Sequence, residues 1–346
     1  MKVDLFAGGM KLQDVQTFAR RAEELGFGGM VMTEGGRTAY LSSAAAILAT
    51  EKLEFNTGVA LAFTRSPMVT AGIAWELADA SEGRFSLGLG TQVQAHIERR
   101  YSAEFSPPGP RMREYVEAIR HIWDCFQNGT KMDYQGEYLN LSLLNGQWSG
   151  GQIDHPDIPL YISAVGPYML KLAGELCDGV HVHPFHSREF IDGFVLPKLA
   201  EGAFKSGRDV DEVKLTVPVM TVIGDTEEDR AKASSTARKQ IAFYGSTRNY
   251  ARVFEFHGYE GVSAQLNNLM KAGKMDEMTD LITDEMLDLY CVVSSWDELS
   301  DRFVDRYGNV ADRVIPYFAT NDYRKRPADF ERWAEAARDI STRTSR

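Results

Sequence analysis

The sequence predicts a (β/α)8 barrel of the TIM-barrel type, and three observations support this fold class. Eight short β-rich runs alternate with amphipathic helical stretches along the 346 residues, as in a parallel sheet covered by helices. Several runs end in small or hydroxyl residues, most clearly at 84–91, Arg-Phe-Ser-Leu-Gly-Leu-Gly-Thr. The length suits an α/β barrel folded as one domain. We therefore expect a single barrel domain over residues 1–346.

The predicted elements alternate in chain order. Strands are expected near 3–6, 30–33, 53–59, 85–90, 159–164, 179–183, 214–222 and 313–318. Helices are expected near 12–25, 40–50, 67–81, 110–128, 167–176, 188–206, 226–243 and 296–307, with a last outer helix near 327–341. The start of the third helix has a local cause, because Ser66 is a favoured N-cap residue and Pro67 needs no N–H partner in the first turn.

Two segments are longer than barrel connections require. Residues 129–157, after strand 4, are polar and rich in Gly and Asn, and we expect them to form a flexible lid. Residues 244–294, after strand 7, begin with an aromatic group made of Tyr244, Tyr250, Phe254, Phe256, His257 and Tyr259. Barrel active sites lie at the C-terminal ends of the strands, so this second insertion is expected to shape a substrate pocket.

Composition excludes several classes of protein. The net charge of -11 and the absence of clustered Lys and Arg argue against a nucleic-acid partner. No apolar run approaches the ~18 residues of a membrane helix, and the chain begins as a strand and not as a signal peptide, so we expect a cytoplasmic protein without a membrane partner. The three cysteines are far apart, which argues against disulfides and a structural zinc site.

Candidate site residues follow strands 2 and 3. Glu34, in Thr33-Glu34-Gly35-Gly36, would lie at the barrel mouth, where it could bind a ligand or move a proton; a surface glutamate in a turn explains the motif equally well. Gly58-Val59 could form an unusual backbone bend beneath a flat ring, or an ordinary bulge.

The ends of strands 4 and 5 also suggest a ligand. Gly88-Leu89-Gly90-Thr91-Gln92-Val93 fails the dinucleotide fingerprint, because Val93 replaces the third glycine and no helix is expected to begin promptly. His96 and Arg99 follow in the same loop, facing either solvent or the mouth. At Gly166-Pro167 a helix begins, and its N–H groups could hold a phosphate, although a tight turn explains the dipeptide as well.

Histidines follow strand 6 at positions 181, 183 and 186. His181 and His183 share one face of a strand, which makes them the best metal-ligand candidates of the chain. Only Glu34 and His96 offer further ligands from other strand ends, so a metal-dependent hydrolase is the less favoured interpretation. Alternatively, a histidine here could exchange a proton beside a bound organic ring. Neither a GxSxG elbow nor a Walker loop is present.

The strand ends, taken together, resemble the luciferase-like family of flavin and deazaflavin oxidoreductases. The resemblance extends over nearly the whole chain and is closest to the branch that uses the deazaflavin coenzyme F-420. It rests on Arg65-Ser66-Pro67, Ser81-Glu82-Gly83-Arg84-Phe85, Gly88-Leu89-Gly90, Gly166-Pro167, Leu172-Ala173-Gly174, Cys177-Asp178-Gly179, Gly207-Arg208, His257-Gly258 and Asp284-Glu285-Met286.

The resemblance implies how a cofactor would be held. It implies a non-proline cis peptide at Gly58-Val59 under the cofactor ring. The ring and tail contacts that it implies are Thr33, Glu34, Gly58, Val59, Thr91, Gln92, Ala164, Val165 and Gly166. Relatives that oxidise a sugar phosphate carry a glutamate where this chain has Val93 and an Asp-His pair where it has Thr33-Glu34, so that substrate is not expected.

The favoured function is hydride transfer between the C5 atom of coenzyme F-420 and a small organic substrate. The catalytic proton would be handled by Glu34, His96 or His183, in that order. An FMN-dependent monooxygenase of the same family, a metal-dependent hydrolase and a non-catalytic cofactor carrier are the alternatives. Because relatives are often dimers, we expect a homodimer.

Overall fold

The computed structural model describes residues 1–345, and eight parallel strands in this range form a closed barrel. Each strand pairs with the next, and the last pairs with the first through Arg313 opposite Lys2. The predicted fold class is confirmed. The strands are β1 (Lys2–Ala7), β2 (Gly29–Met32), β3 (Glu54–Thr57), β4 (Phe85–Gly90), β5 (Leu160–Ala164), β6 (Gly179–Val182), β7 (Lys214–Ile223) and β8 (Arg313–Pro316).

Helices connect the strands where they were predicted, except that the predicted helix 188–206 is divided into Arg188–Phe190, a π-helical segment Ile191–Val195 and Leu196–Ser206. Ser66 caps the third helix, since its hydroxyl accepts a hydrogen bond from the Val69 N–H at 3.3 Å. No helix within residues 1–345 is both long and apolar enough to cross a membrane. The main helices are Leu12–Leu25, Ala39–Ile47, Pro67–Ala80, Pro108–Asn128, Pro167–Leu176, Leu196–Ser206, Glu227–Gly245, Leu299–Tyr307 and Pro327–Arg343.

A helix directly after β4 was not expected from the sequence. Gln94–Tyr101 is helical and begins directly after Val93, so the expectation that no helix follows β4 promptly is wrong. Val93 offers no capping side chain, and the helix buries only Ile97, so it lacks both the N-cap and the apolar stripe that would have indicated it.

The two insertions differ in structure. Residues 129–157 contain a small antiparallel pair, Tyr134–Gln135 with Asn140–Leu141, and otherwise irregular chain. The second insertion is mostly helical and ends in strand Cys291–Ser294, which pairs in parallel with the upper end of β7. Its helices are Ala251–Glu255, Val262–Lys271, Met275–Asp280 and Asp284–Tyr290.

A buried charge cluster joins the N-terminal ends of three strands. Arg313 of β8 donates to Asp4 Oδ1 of β1 at 2.7 Å and also pairs with Glu54 of β3. The side chain of Asp4 is buried, and that of Arg313 is nearly so. Once such a pair is out of water, each charge depends on its partner, because an unpaired buried charge is much more costly than a paired one.

Replacing Arg313 tests this dependence. Arg313→Met should lower the free energy of unfolding by about 3–5 kcal/mol, because it leaves Asp4 charged and buried without its partner. The matched control is Arg324→Met, which breaks the exposed pair with Asp14 and should cost about 1 kcal/mol or less. Urea unfolding of both variants measures the two changes in the free energy of unfolding. Equal decreases would show that the buried pair contributes no more to stability than the exposed one.

Candidate active site

The predicted site residues gather at one end of the barrel. Parallel strands bring all their C-terminal ends to the same rim, so residues that are distant in sequence become neighbours in space. Most of them are half-buried, as expected for the lining of an open mouth. The predicted residues that immediately follow or end strands β2 to β6 are Thr33, Glu34, Gly58, Val59, Thr91, Gln92, Ala164, Val165, Gly166 and His183.

Gly58 and Val59 leave the sheet between two paired segments. Thr57 ends β3, whereas Ala60 and Leu61 resume parallel pairing with Leu89 and Gly90 of β4. The peptide bond between Gly58 and Val59 is cis, as the family resemblance implies. From the sequence, either an unusual backbone bend or an ordinary bulge was possible at Gly58-Val59. In the structure, these two residues leave the sheet and are joined by a cis peptide bond.

The strand beside this dipeptide has glycine at the last two positions of its inner face, Gly88 and Gly90. A Cβ atom at Gly90 would lie 2.4 Å from Val59 Cγ2, and one at Gly88 would lie 1.9 Å from the Thr57 carbonyl oxygen. Contacts this short are not tolerated, so both positions require glycine. We call Gly58, Val59 and Gly90 the floor of the site, a smooth surface against which a flat ring can lie.

Below the floor, His181 is packed inside the barrel. Its Nε2 lies 3.2 Å from Asn56 Oδ1, and burial lowers the pKa of His181 to about 4. His186 is also buried, with Nδ1 2.9 Å from the His183 carbonyl oxygen and Nε2 3.2 Å from the Tyr307 hydroxyl. Each of these two imidazole rings is thus hydrogen-bonded to other groups of the protein, and the two rings share none of these partners.

The histidines do not converge on a common centre. Within residues 1–345 no group of three or more His, Cys, Asp or Glu side chains could hold a metal ion. Nothing in the described part of the chain therefore supports the metal-dependent hydrolase interpretation.

Glu34 belongs to a buried ion pair. Its side chain is only 4% exposed, pairs with Arg65 through both carboxylate oxygens, and accepts a 2.7 Å hydrogen bond from the Leu61 N–H. These bonds attach the turn that follows the Gly58-Val59 dipeptide to the end of β2. Glu34 is therefore not a surface residue, and its predicted catalytic role stays a prediction.

His96 lies on the exposed surface of helix Gln94–Tyr101, as does Arg99. Among the neighbouring cofactor candidates, Thr91 is half-buried and Gln92 is exposed with a left-handed φ of 58°. The roles predicted for His96, Thr91 and Gln92 stay predictions.

Aromatic side chains surround His183, and sequence reasoning identified only some of them. The His183 ring stacks on Tyr250 at 4.0 Å and meets the face of Tyr244 edge-on at 4.6 Å. Tyr317 bonds the Tyr244 hydroxyl and packs on Phe6 at 5.7 Å. We call Phe6, His183, Tyr244, Tyr250 and Tyr317 the aromatic cluster.

The aromatic cluster carries no charge near neutral pH. Burial, together with the nearby His186, lowers the pKa of His183 to about 3. Burial raises the pKa of Tyr244, Tyr250 and Tyr317. In a strand, Arg313, Ile315 and Tyr317 would share one face, and this alternation could have indicated that Tyr317 faces inward. The signal was missed because Tyr317 lies just after the end of a short strand.

The helix that begins after β5 has a free N-terminus. Gly166 is its N-cap residue, and no side chain caps its first turn. A Cβ atom at Gly166 would meet nothing within 4 Å. An uncapped helix N-terminus beside open space can bind a negatively charged group such as a phosphodiester. The floor and this helix together fit a cofactor with a flat ring and an anionic tail.

Comparison with known proteins agrees with this geometry. The family model of the luciferase-like monooxygenases matches residues 2–313, and the chain belongs to that family. An uncharacterized protein of Mycobacterium tuberculosis is 38% identical over 296 residues, covering 86% of this chain and 87% of the relative. The 5,10-methylenetetrahydromethanopterin reductase of Methanolobus tindarius is 30% identical over 291 residues, covering 82% and 84%.

A solved structure shows the same fold. The coenzyme F-420-dependent tetrahydromethanopterin reductase of Methanopyrus kandleri superposes with a TM-score of 0.78 at 21% identity, covering 99% of both chains. The family and its relatives make the chain an enzyme of the oxidoreductase class.

The buried histidines predict acid sensitivity. The pKa of His181 is 6.5 in the unfolded chain and about 4 in the folded protein, so between these values the unfolded state binds more protons. The free energy of unfolding should therefore decrease as the pH falls through this window. His181→Gln should make that decrease shallower by about 1.4 kcal/mol per pH unit, measured by urea unfolding at a series of pH values.

The exposed His96 provides the control for this experiment. His96→Gln controls for the exchange of a histidine for a glutamine at an exposed position. A His181→Gln variant with an unchanged pH dependence would show that His181 is not kept neutral by burial.

Proposed function

We propose that this protein is a coenzyme F-420-dependent oxidoreductase that transfers a hydride between the cofactor and a small organic substrate. The main support is the pairing of the floor at Gly58, Val59 and Gly90, where the two glycines carry no side chain, with the uncapped helix N-terminus at Gly166 on the same rim. The name of the reductase from Methanopyrus kandleri points to the same cofactor.

The proposal assigns parts of the rim to parts of the cofactor. Reduced coenzyme F-420, when bound, supplies a hydride from its C5 atom. The barrel would orient the two reactants and exclude water from one side of the ring. The residues proposed to hold the cofactor are Thr33, Gly58, Val59, Thr91, Gln92, Ala164, Val165 and Gly166.

FMN-dependent monooxygenation is the second candidate, supported by the luciferase-like monooxygenase model that matches the chain. Equilibrium titration with each cofactor, followed by absorbance, separates the two. We expect tight binding of coenzyme F-420 and weak binding of FMN; the reverse order would replace the proposed function by the second candidate.

A charge placed at Gly166 tests the proposed site of the anionic tail. Gly166→Asp should weaken the binding of coenzyme F-420 by about tenfold, because the carboxylate both repels the tail and occupies the free N–H groups of the helix. Gly166→Ala is the control: its added methyl group enters open space, so binding should stay within about twofold of the wild type. Equal dissociation constants for the two variants would place the tail elsewhere.

We propose that the barrel is a single domain and forms a homodimer through helices Ala39–Ile47 and Pro67–Ala80. Leu48, directly after helix Ala39–Ile47, is 76% exposed. Leu41 on the same helix and Val69 on helix Pro67–Ala80 are also exposed. Leu41 and Leu48 are seven residues apart and therefore lie on one helix face. An exposed apolar patch of this kind is typical of a protein interface.

Light scattering tests the dimer. The double variant Leu41→Glu, Leu48→Glu should be monomeric, because four charges would be buried in the interface of a symmetric dimer. Phe204→Glu is the control, since Phe204 is 87% exposed on helix Leu196–Ser206, outside the proposed interface. A monomeric wild type, or a dimer that tolerates the double variant, would exclude this interface.

A further inference from the structure

Two tyrosines of the aromatic cluster share one hydrogen bond between two hydroxyl groups. The hydroxyls of Tyr244 and Tyr317 are bonded to each other. In such a pair one hydroxyl donates and the other accepts, so the accepting hydroxyl keeps a proton of its own. Among residues 1–345 no protein group accepts that proton. Both side chains are half-buried at the barrel mouth, where a bound molecule could take it.

The strand geometry indicates which tyrosine keeps the free proton. Arg313 points into the barrel, and Tyr317 lies four residues further along the same strand direction, with its N–H bonded to the Val219 carbonyl oxygen of β7 at 2.8 Å. By alternation Tyr317 therefore faces the barrel axis. Tyr244 is instead carried by the last turn of helix Glu227–Gly245, which follows β7. We therefore take Tyr244 as the donor within the pair and Tyr317 as the residue that faces a ligand.

The surroundings of Tyr317 favour a neutral, planar ligand. Phe6, Tyr250 and the neutral ring of His183 supply flat apolar surface. The ionised pair at the rim, Glu34 with Arg65, is internally compensated. A charged ligand would lose its hydration here without gaining a counter-charge, whereas a conjugated, uncharged molecule would stack on the rings.

We propose that Tyr317 is the catalytic acid for neutral, planar enones and that Tyr244 is its positioning residue. This inference rests on the proposed function, which supplies the hydride. The hydride adds to the β-carbon, the electron pair of the C=C bond shifts, and negative charge develops on the carbonyl oxygen. The proton of Tyr317 goes to that oxygen, and Tyr317 recovers a proton through Tyr244 from water. The enone gains two electrons and becomes a saturated ketone through its enol, while the coenzyme is oxidised.

The earlier candidates are less suited to this proton. Both oxygens of Glu34 are held by Arg65 and the Leu61 N–H. His183 accepts from the Phe185 N–H through Nδ1 at 3.1 Å, which leaves a neutral ring with its proton on Nε2, a weaker acid than a phenol. His96 lies on the exposed face of its helix.

Cyclohexenone is the probe for this proposal. The carbonyl stretching band of cyclohexenone bound to the protein, loaded with oxidised coenzyme F-420 or free of it, should shift to lower wavenumber than in water. Tyr317→Phe should abolish the shift and lower kcat/KM for cyclohexenone reduction by about 100-fold, the size typical of a lost general acid. Tyr244→Phe should reduce the shift and lower kcat/KM by about tenfold. Phenylalanine keeps the ring packing, and thermal melting checks that each variant is folded.

Tyr323→Phe is the matched control. Tyr323 packs on Phe18 at 4.6 Å and on Phe330 at 5.3 Å among the outer helices, so its loss of a hydroxyl should change neither the band nor the rate.

The outcomes separate this inference from the proposed function. One outcome is that coenzyme F-420 does not bind, but the cyclohexenone band shifts and this shift depends on Tyr317. Tyr317 is then a hydrogen-bond donor to the carbonyl oxygen, and the proposed function is wrong. If the coenzyme binds and reduction proceeds equally in wild type and Tyr317→Phe with the same band position, Tyr317 is not the acid. A larger decrease of kcat/KM in Tyr244→Phe than in Tyr317→Phe would overturn the assignment of Tyr317 as the acid and Tyr244 as its positioning residue.

Discussion

The contact between Thr57 and Gly88 determines the shape of the barrel mouth. The Thr57 hydroxyl donates to the Gly88 carbonyl oxygen at 2.7 Å and accepts from the Gly88 N–H at 2.9 Å. A side chain thus joins β3 to β4 at the point where the backbone pairing of the two strands stops. Because the strands stay attached there, Gly58 and Val59 can leave the sheet and Ala60 can rejoin it. The floor of the site depends on this arrangement.

The two ends of the barrel differ in electrostatic character. At the N-terminal end, the charges of Arg313, Asp4 and Glu54 pair with one another and join three strands. The C-terminal end combines the floor with neutral aromatic rings, the mutually compensated pair of Glu34 and Arg65, and an uncapped helix N-terminus. This end is therefore suited to an organic ring, with one local position for a negative group.

Sequence patterns predicted the elements well because burial along a strand or helix is a local, periodic property. The eight strands and the main helices lie where the apolar runs indicated. Helix Gln94–Tyr101 was missed because it buries one residue and has no cap. Contacts between distant residues were not predictable in the same way. Glu34 and Arg65 are 31 positions apart, and Tyr244 and Tyr317 are 73 apart, so only the closed barrel brings them together. Their residue types alone did not indicate a buried ion pair or a phenol pair.

A crystal structure with coenzyme F-420 would show directly where the cofactor binds. We expect the ring to lie on Gly58, Val59 and Gly90 and the phosphodiester to reach the helix N-terminus at Gly166. A groove of about 750 Å³ at the opposite end of the barrel, lined in part by Arg120 and Lys214, offers the contrasting location. Density for the coenzyme in that groove, with none over Val59, would show that the C-terminal rim is not the cofactor site.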